Sequence, residues 1–241
     1  MPHTLALDLD ETVRKADPDR WLATRFIEDG QARADVIALY AFDHQLARAP
    51  QVASEPLMAE IRLAWWSEAL DEMFEGRPVR AHPVAQGMAI AVARGGLERS
   101  TLDRLIRARE QAAPKAPFVD EGQMLSYLDD VCGALMQSAA ALLGGPADPL
   151  TVQAAGRAWG LATARRLIAP DRLPANLSPE AMRRLGREAL RAARRDLKAL
   201  PVPAFPAVAY ACLAPAYAKG RTPSLLEKQL RMVWAVLRGA V

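Results

Sequence analysis

Residues 32–73 read ARADVIALYAFDHQLARAPQVASEPLMAEIRLAWWSEALDEM, and this stretch decides the fold. Val36, Leu39, Tyr40, Phe42 and Leu46 fall on one side of a helix, since residues three and four apart share a face. Ile61, Trp65, Trp66, Ala69, Leu70 and Met73 repeat the pattern. The spacing predicts two helices separated by a break at Ala49-Pro50. Pro56 sits at the start of the second, where a residue without an N–H costs nothing. Adjacent residues point about 100° apart on a helix, so Trp65 and Trp66 are read mainly as core.

Outward from this pair the chain keeps helical period, and no convincing strand pair appears. Asp17-Pro18 and Ser178-Pro179 carry cap and first-turn signals; Gly30 is read as the stop of the helix behind Asp17, and Ser100 as a cap. Residues 120–143 form a long apolar run with small residues at Gly133, Ala134 and Ala139 to Ala141, which would let another helix approach closely. Further helical segments are expected at 180–200, 204–219 and 224–239.

The motif-bearing stretches resemble the squalene/phytoene synthase family. Tyr40-Ala41-Phe42 matches the start of the family's first motif helix, and Tyr127, Cys132 and Gly133 keep part of a later one. Leu161 and Arg166 match the second Asp-rich helix, and Arg172-Leu173-Pro174 its exit. The resemblance implies an all-α, isoprenoid-synthase-like helical bundle around a central cavity. In that family two facing helices supply carboxylates for Mg²⁺, which holds the leaving diphosphate of an allylic substrate. Here the family's Arg falls on His44. Its acids fall on Ala47, Arg48, Gln51 and Leu167, none of which is acidic.

One branch of the family lacks the Asp-rich motifs, and its mitochondrial members assist assembly of respiratory complex I. The lost acids, the Trp-Trp helix, HPVAQ at 82–86 and AGRAWGL at 155–161 resemble that branch. The resemblance therefore implies a non-catalytic protein that binds prenyl lipid or assists complex I assembly at a membrane surface. The alternative is an active head-to-head prenyl transferase acting on prenyl diphosphates, and Mg²⁺ is expected only in that case. Tyr40, His44, Arg48, Tyr127 and Arg166 are the candidate ligand-binding residues. No catalytic residue and no metal ligand is assigned.

Composition agrees with a globular chain: 51% of its 241 residues are hydrophobic and 24% charged, ample for a core. Residues 1–120 carry 15 basic and 19 acidic side chains, net −4, whereas residues 121–241 carry 16 and 9, net +7. A basic half suits an anionic surface or an acidic partner. Its sharpest feature is the stripe Arg183, Arg187, Arg191 and Arg194, with Lys198 behind, read as an anionic-surface contact. No nucleic-acid motif accompanies it. Cys132 and Cys212 form no disulfide framework. The start has no signal-peptide pattern and no run reaches membrane-span length, so the expected location is cytoplasmic, peripheral on the inner membrane face. One domain is expected over residues 1–241. Asp8 and Asp10 resemble the first motif of haloacid-dehalogenase-like phosphatases, but no strand-rich pattern follows. Residues 1–16 are read instead as an N-terminal arm.

Overall fold

The computed structural model describes residues 2–52, 56–112, 116–145, 148 and 150–241. Every regular element among them is helical. The segment read as an arm is itself a helix, α1 (Pro2–Ala16), with Leu9 and Val13 in the core. A short α2 (Pro18–Thr24) follows. The Asp17 carboxylate caps it by accepting from the Arg20 N–H at 3.0 Å. It stops at Thr24, before Gly30, which opens the next helix.

α3 (Gly30–Val52) is the axis of the bundle. Tyr40, Ala41, Phe42 and Leu46 are almost wholly buried on it, and α1, α2 and four later helices all pack around it. The expected break at Pro50 does not occur; α3 runs on to Val52. Pro50 forfeits the hydrogen bond to the Leu46 carbonyl and its ring crowds that group, a disturbance confined to the last turns of α3. α4 (Pro56–Phe74) returns alongside. Trp66 is buried and meets Phe42 edge-on at 5.3 Å, while Trp65 lies half-buried beneath the Arg80 guanidinium. α5 (Pro83–Arg94) and α6 (Arg99–Ala112) complete this half. α6 begins one residue before the expected cap, Ser100.

The long helix predicted over 120–143 is present in three parts. α7 (Glu121–Leu128) and α8 (Ala134–Leu142) are joined by a π turn at Asp129–Gly133. The extra residue in that turn brings Gly133 against Gly156 of α9 (Leu150–Ala162). A Cβ on Gly156 would lie 2.6 Å from the Gly133 Cα. The two backbones therefore touch, and only glycine fits. Asp129 secures the same contact by accepting from Gln153 at 3.0 Å and from Arg157 Nε at 2.9 Å.

α10 (Ala164–Leu167) follows, and α11 (Pro179–Asp196) covers the outer side of α9 through Ala189 and Ala193. The Ser178 hydroxyl caps α11 as expected, accepting from Ala181 N–H at 3.1 Å. The α-helix expected at 204–219 forms only in its second half. Pro203 and Pro206 block its hydrogen bonding, and the chain advances by 3₁₀ turns into α12 (Ala214–Tyr217). α13 (Leu225–Arg238) ends at Gly239 in the left-handed conformation, φ 61°.

The glycine contact has a measurable signature. Gly156→Ala inserts a methyl group into backbone and is expected to cost about 1–3 kcal/mol, as overpacking does. Gly186 of α11 has nothing within 4 Å of its Cβ position. Gly186→Ala is expected to stabilise by about 0.5–1 kcal/mol through helix propensity. Urea unfolding of the two variants should move in opposite directions.

Candidate functional site

Three core-phase positions carry charge. Asp43 follows Phe42 on α3, Arg109 follows Leu105 and Ile106 on α6, and Arg20 lies in the first turn of α2. All three are buried, at 4%, 6% and 7% exposure, where an unpaired charge would be very costly. They meet. Arg20 Nη1 donates to Asp43 Oδ2 at 2.9 Å, and Arg109 Nη2 donates to Asp43 Oδ1 at 3.2 Å. Arg109 Nη1 also donates to the Tyr127 hydroxyl at 3.1 Å.

Burial opposes both guanidinium charges, but their neighbours outweigh it. Tyr210, Asp17 and Asp43 raise the Arg20 pKa well above its ordinary value, and Tyr127 and Asp43 raise that of Arg109. Tyr40 and Tyr210 flank Arg20, whose guanidinium carbon lies 5.8 and 5.6 Å from their ring centres. Burial pushes the Tyr40 phenol well above its usual range and the nearby Cys132 thiol up to about 12.

The second polar centre comes from the residue before Arg20. Asp19, 1% exposed, points away from Arg20 around α2. It accepts from the Tyr217 hydroxyl at 2.5 Å and pairs with Lys228 Nζ at 2.7 Å. Arg166 lies 3.8 Å from the same carboxylate, stacked 4.5 Å above the Tyr217 ring and half exposed.

The five candidates therefore do not share one pocket. Tyr40 and Tyr127 border the Arg20–Asp43–Arg109 centre, and Arg166 belongs to the Asp19 centre. His44 is half-buried on α3, its pKa lowered by burial and then by Arg48. Arg48 is exposed at the mouth of a groove of about 390 Å³ between α3 and α4, which Trp65, Trp66 and His82 also line. A larger groove, about 460 Å³, runs between α9, α11 and α12. Ala158, Leu161 and Ala214 form buried parts of its wall, and exposed Arg165, Arg183, Arg187 and Lys219 border it.

Mg²⁺ requires several carboxylate oxygens free to face one point. The carboxylates here are committed elsewhere. Asp43 is bonded through both oxygens to arginines. Asp129 holds Arg157, and Asp130 holds Arg104 at 2.9 Å. Glu68 and Glu72 hold Arg80 at 2.6 and 2.9 Å. Among the described residues, no three His, Cys, Asp or Glu side chains gather as a metal site would need. The residues present do not fit Mg²⁺. Ala47, Arg48 and Leu167, at the family's acid positions, carry no carboxylate, and the Gln51 side chain lies outside the described residues.

None of Arg20, Asp43 and Arg109 is among the candidate residues drawn from the sequence. The available signal was a charge recurring in phase with an apolar stripe: Leu102, Leu105, Ile106, Arg109. Arg183, Arg187, Arg191 and Arg194 of the α11 stripe are all exposed. Arg183 pairs with Glu180, and Arg194 donates to the Val241 carbonyl at 2.7 Å.

A family model described as squalene/phytoene synthase matches residues 13–177. Among curated proteins, the bovine complex I assembly factor 6 is 26% identical over 134 residues, 56% of this chain and 40% of that protein. The homologous factor of Drosophila melanogaster is 29% identical over 164 residues, 65% of this chain and 48% of its own. The match thus takes in under half the length of these relatives. A dehydrosqualene synthase crystal structure superposes with TM-score 0.77 at 12% identity, covering 98% of this chain and 96% of that one. A squalene synthase from Alicyclobacillus acidocaldarius superposes with TM-score 0.68 at 14% identity, covering 99% and 97%. At these identities the superpositions establish the isoprenoid-synthase-like fold.

Asp43→Asn keeps the side-chain shape and strands two buried guanidiniums. It is expected to cost about 3–5 kcal/mol, as for a buried pair that loses one partner. Arg48→Ala, at an exposed position, should stay within about 0.5 kcal/mol. Thermal and urea unfolding followed by circular dichroism distinguish the two.

Proposed function

The chain belongs to the squalene/phytoene synthase family, and from that premise we propose that it is a non-catalytic member acting at a membrane surface in the assembly of respiratory complex I. The observation that carries this reading is the state of Asp43. The carboxylate at the centre of the bundle is occupied on both oxygens by Arg20 and Arg109. A group used in this way holds helices together and is not available to a metal or to a diphosphate's counter-ions.

Two further facts support it. The positions on which the family's acids fall by resemblance are Ala47, Arg48, Gln51 and Leu167, none of which carries a carboxylate. The curated relatives named above are assembly factors for complex I. In this reading a prenyl lipid is a bound ligand and not a reactant. The groove beneath α11, with its apolar wall and cationic border, accommodates such a chain better than the polar centre does. The exposed α11 arginines supply the attraction to an anionic membrane face. The prenyl-transferase alternative is supported by the fold alone.

The full chain, incubated with Mg²⁺ and farnesyl or geranylgeranyl diphosphate, is expected to release no diphosphate above a protein-free control. Metal-dependent release would overturn the non-catalytic reading. In the parent organism, deletion is expected to lower the amount of assembled complex I on native gels and to leave prenyl products unchanged. Unaltered complex I would remove the assembly role.

A further inference from the structure

The outward side of α13 is more apolar than its inward side. Leu226, Leu230, Val233, Trp234 and Leu237 are 65%, 61%, 40%, 57% and 74% exposed, and they fall on one face at steps of four, three, one and three. The inward side offers Met232, Ala235 and the half-buried Val236 to the core and turns Lys228 toward Asp19. Solvated surface helices have the reverse arrangement. Singly exposed leucines are ordinary, but a contiguous stripe of this length marks a contact surface.

The charges around the stripe indicate what covers it. Glu227 is the sole acid of α13, and Arg221 and Arg231 take it up at 2.6 and 2.8 Å. The Arg238 guanidinium lies 4.2 Å from the Trp234 ring, an aromatic–cation pair at the helix end. α11 meets the chain on either side of α13. The groove bordered by Arg183 and Arg187 is closed by residues 214–220, which lead directly into α13. At the far end Arg194 donates to the carbonyl of Val241, just past α13. α11 is thus tied to the segment that precedes α13 and to the residue that follows it, which keeps the basic stripe in the neighbourhood of the apolar one. Arg187 and Arg191 have no ion-pair partner among the described residues.

We propose that α13 is a membrane-insertion helix: it lies in the plane of an anionic lipid bilayer and buries Leu226, Leu230, Val233, Trp234 and Leu237 at the level of the headgroups and upper acyl chains, while Arg187 and Arg191 of α11 meet lipid phosphates. Apolar face, cationic flanks and an interfacial Trp are what such a helix requires. At 14 residues α13 is too short to span a bilayer, and no described helix is long and apolar enough to do so. A second copy of the chain fits less well, since pairing two such faces would bring Arg231 and Arg238 toward their own counterparts with no free acid to offset them. The inference rests on the membrane-surface reading above and names the element that makes the contact.

The test uses the full chain and vesicles of phosphatidylcholine, with and without phosphatidylglycerol. The wild type is expected to bind the mixed vesicles. Leu230→Glu with Leu237→Glu, both exposed, should leave the helical spectrum and melting temperature unchanged and weaken binding by about tenfold or more, at low and high salt alike. Arg187→Glu with Arg191→Glu should weaken it chiefly at low salt. Lipid brominated on its acyl chains should quench tryptophan fluorescence, and Trp234→Phe should abolish most of that quenching. Wild-type binding unaffected by the leucine changes, or quenching unaffected by Trp234→Phe, overturns the α13 assignment and leaves the membrane reading standing. Failure of the wild type to bind either vesicle overturns both. Self-association that the leucine changes abolish, without vesicle binding, identifies the face as a protein contact and overturns the proposal.

Discussion

A single carboxylate between two buried guanidiniums sets the terms for this bundle. Asp43 comes from α3, Arg20 from α2 and Arg109 from α6, and Arg109 extends the connection to Tyr127 on α7. Four helices are thereby fixed to one point in a medium of low dielectric. Such a network need not add net stability, because three desolvated charges offset much of their mutual attraction. Its effect is on arrangement. Any sliding of α2 or α6 along α3 would leave a bare charge in the core, so the register of the apolar stripes is set by polar chemistry.

The same network governs what the bundle can do. A carboxylate that must neutralise two arginines cannot also present free oxygens to a cation. In a helical bundle built to bind metal, acids on facing helices repel one another until the ion arrives. Here the centre is already compensated by the chain's own side chains and requires no ion. The fold of a prenyl synthase is thus built around a centre that the chain's own side chains compensate.

Much of the fold was legible in the sequence. The stripe from Val36 to Leu46 and that from Ile61 to Met73 became the central helices, and the Asp17 and Ser178 caps were placed correctly. The small residues around Gly133 did mark a close approach. Local pattern misjudged what depends on local compensation: Pro50 was tolerated within α3, and residues 202–213 were diverted into 3₁₀ turns by their prolines. The site was less legible, for a definite reason. Candidate residues were chosen by position along a motif, whereas Arg20, Asp43 and Arg109 converge from separate helices through space. Arg109 and Asp43 nevertheless stood in phase with apolar neighbours, a placement that requires a partner. The α13 stripe escaped because a helical apolar period reads the same whether it faces a core or leaves it.

The Asp19–Tyr217 hydrogen bond spans 198 residues of sequence, and Lys228 joins the same carboxylate. During synthesis Asp19 leaves the ribosome long before either partner. Until the C-terminal portion emerges, α2 cannot seat with Asp19 in its final place without enclosing an uncompensated charge. The N-terminal helices can gather on α3 as they appear, but α2 must remain loosely held. Closure of this protein therefore waits for Tyr217 and Lys228 to emerge, with α13 acting as a latch for α2.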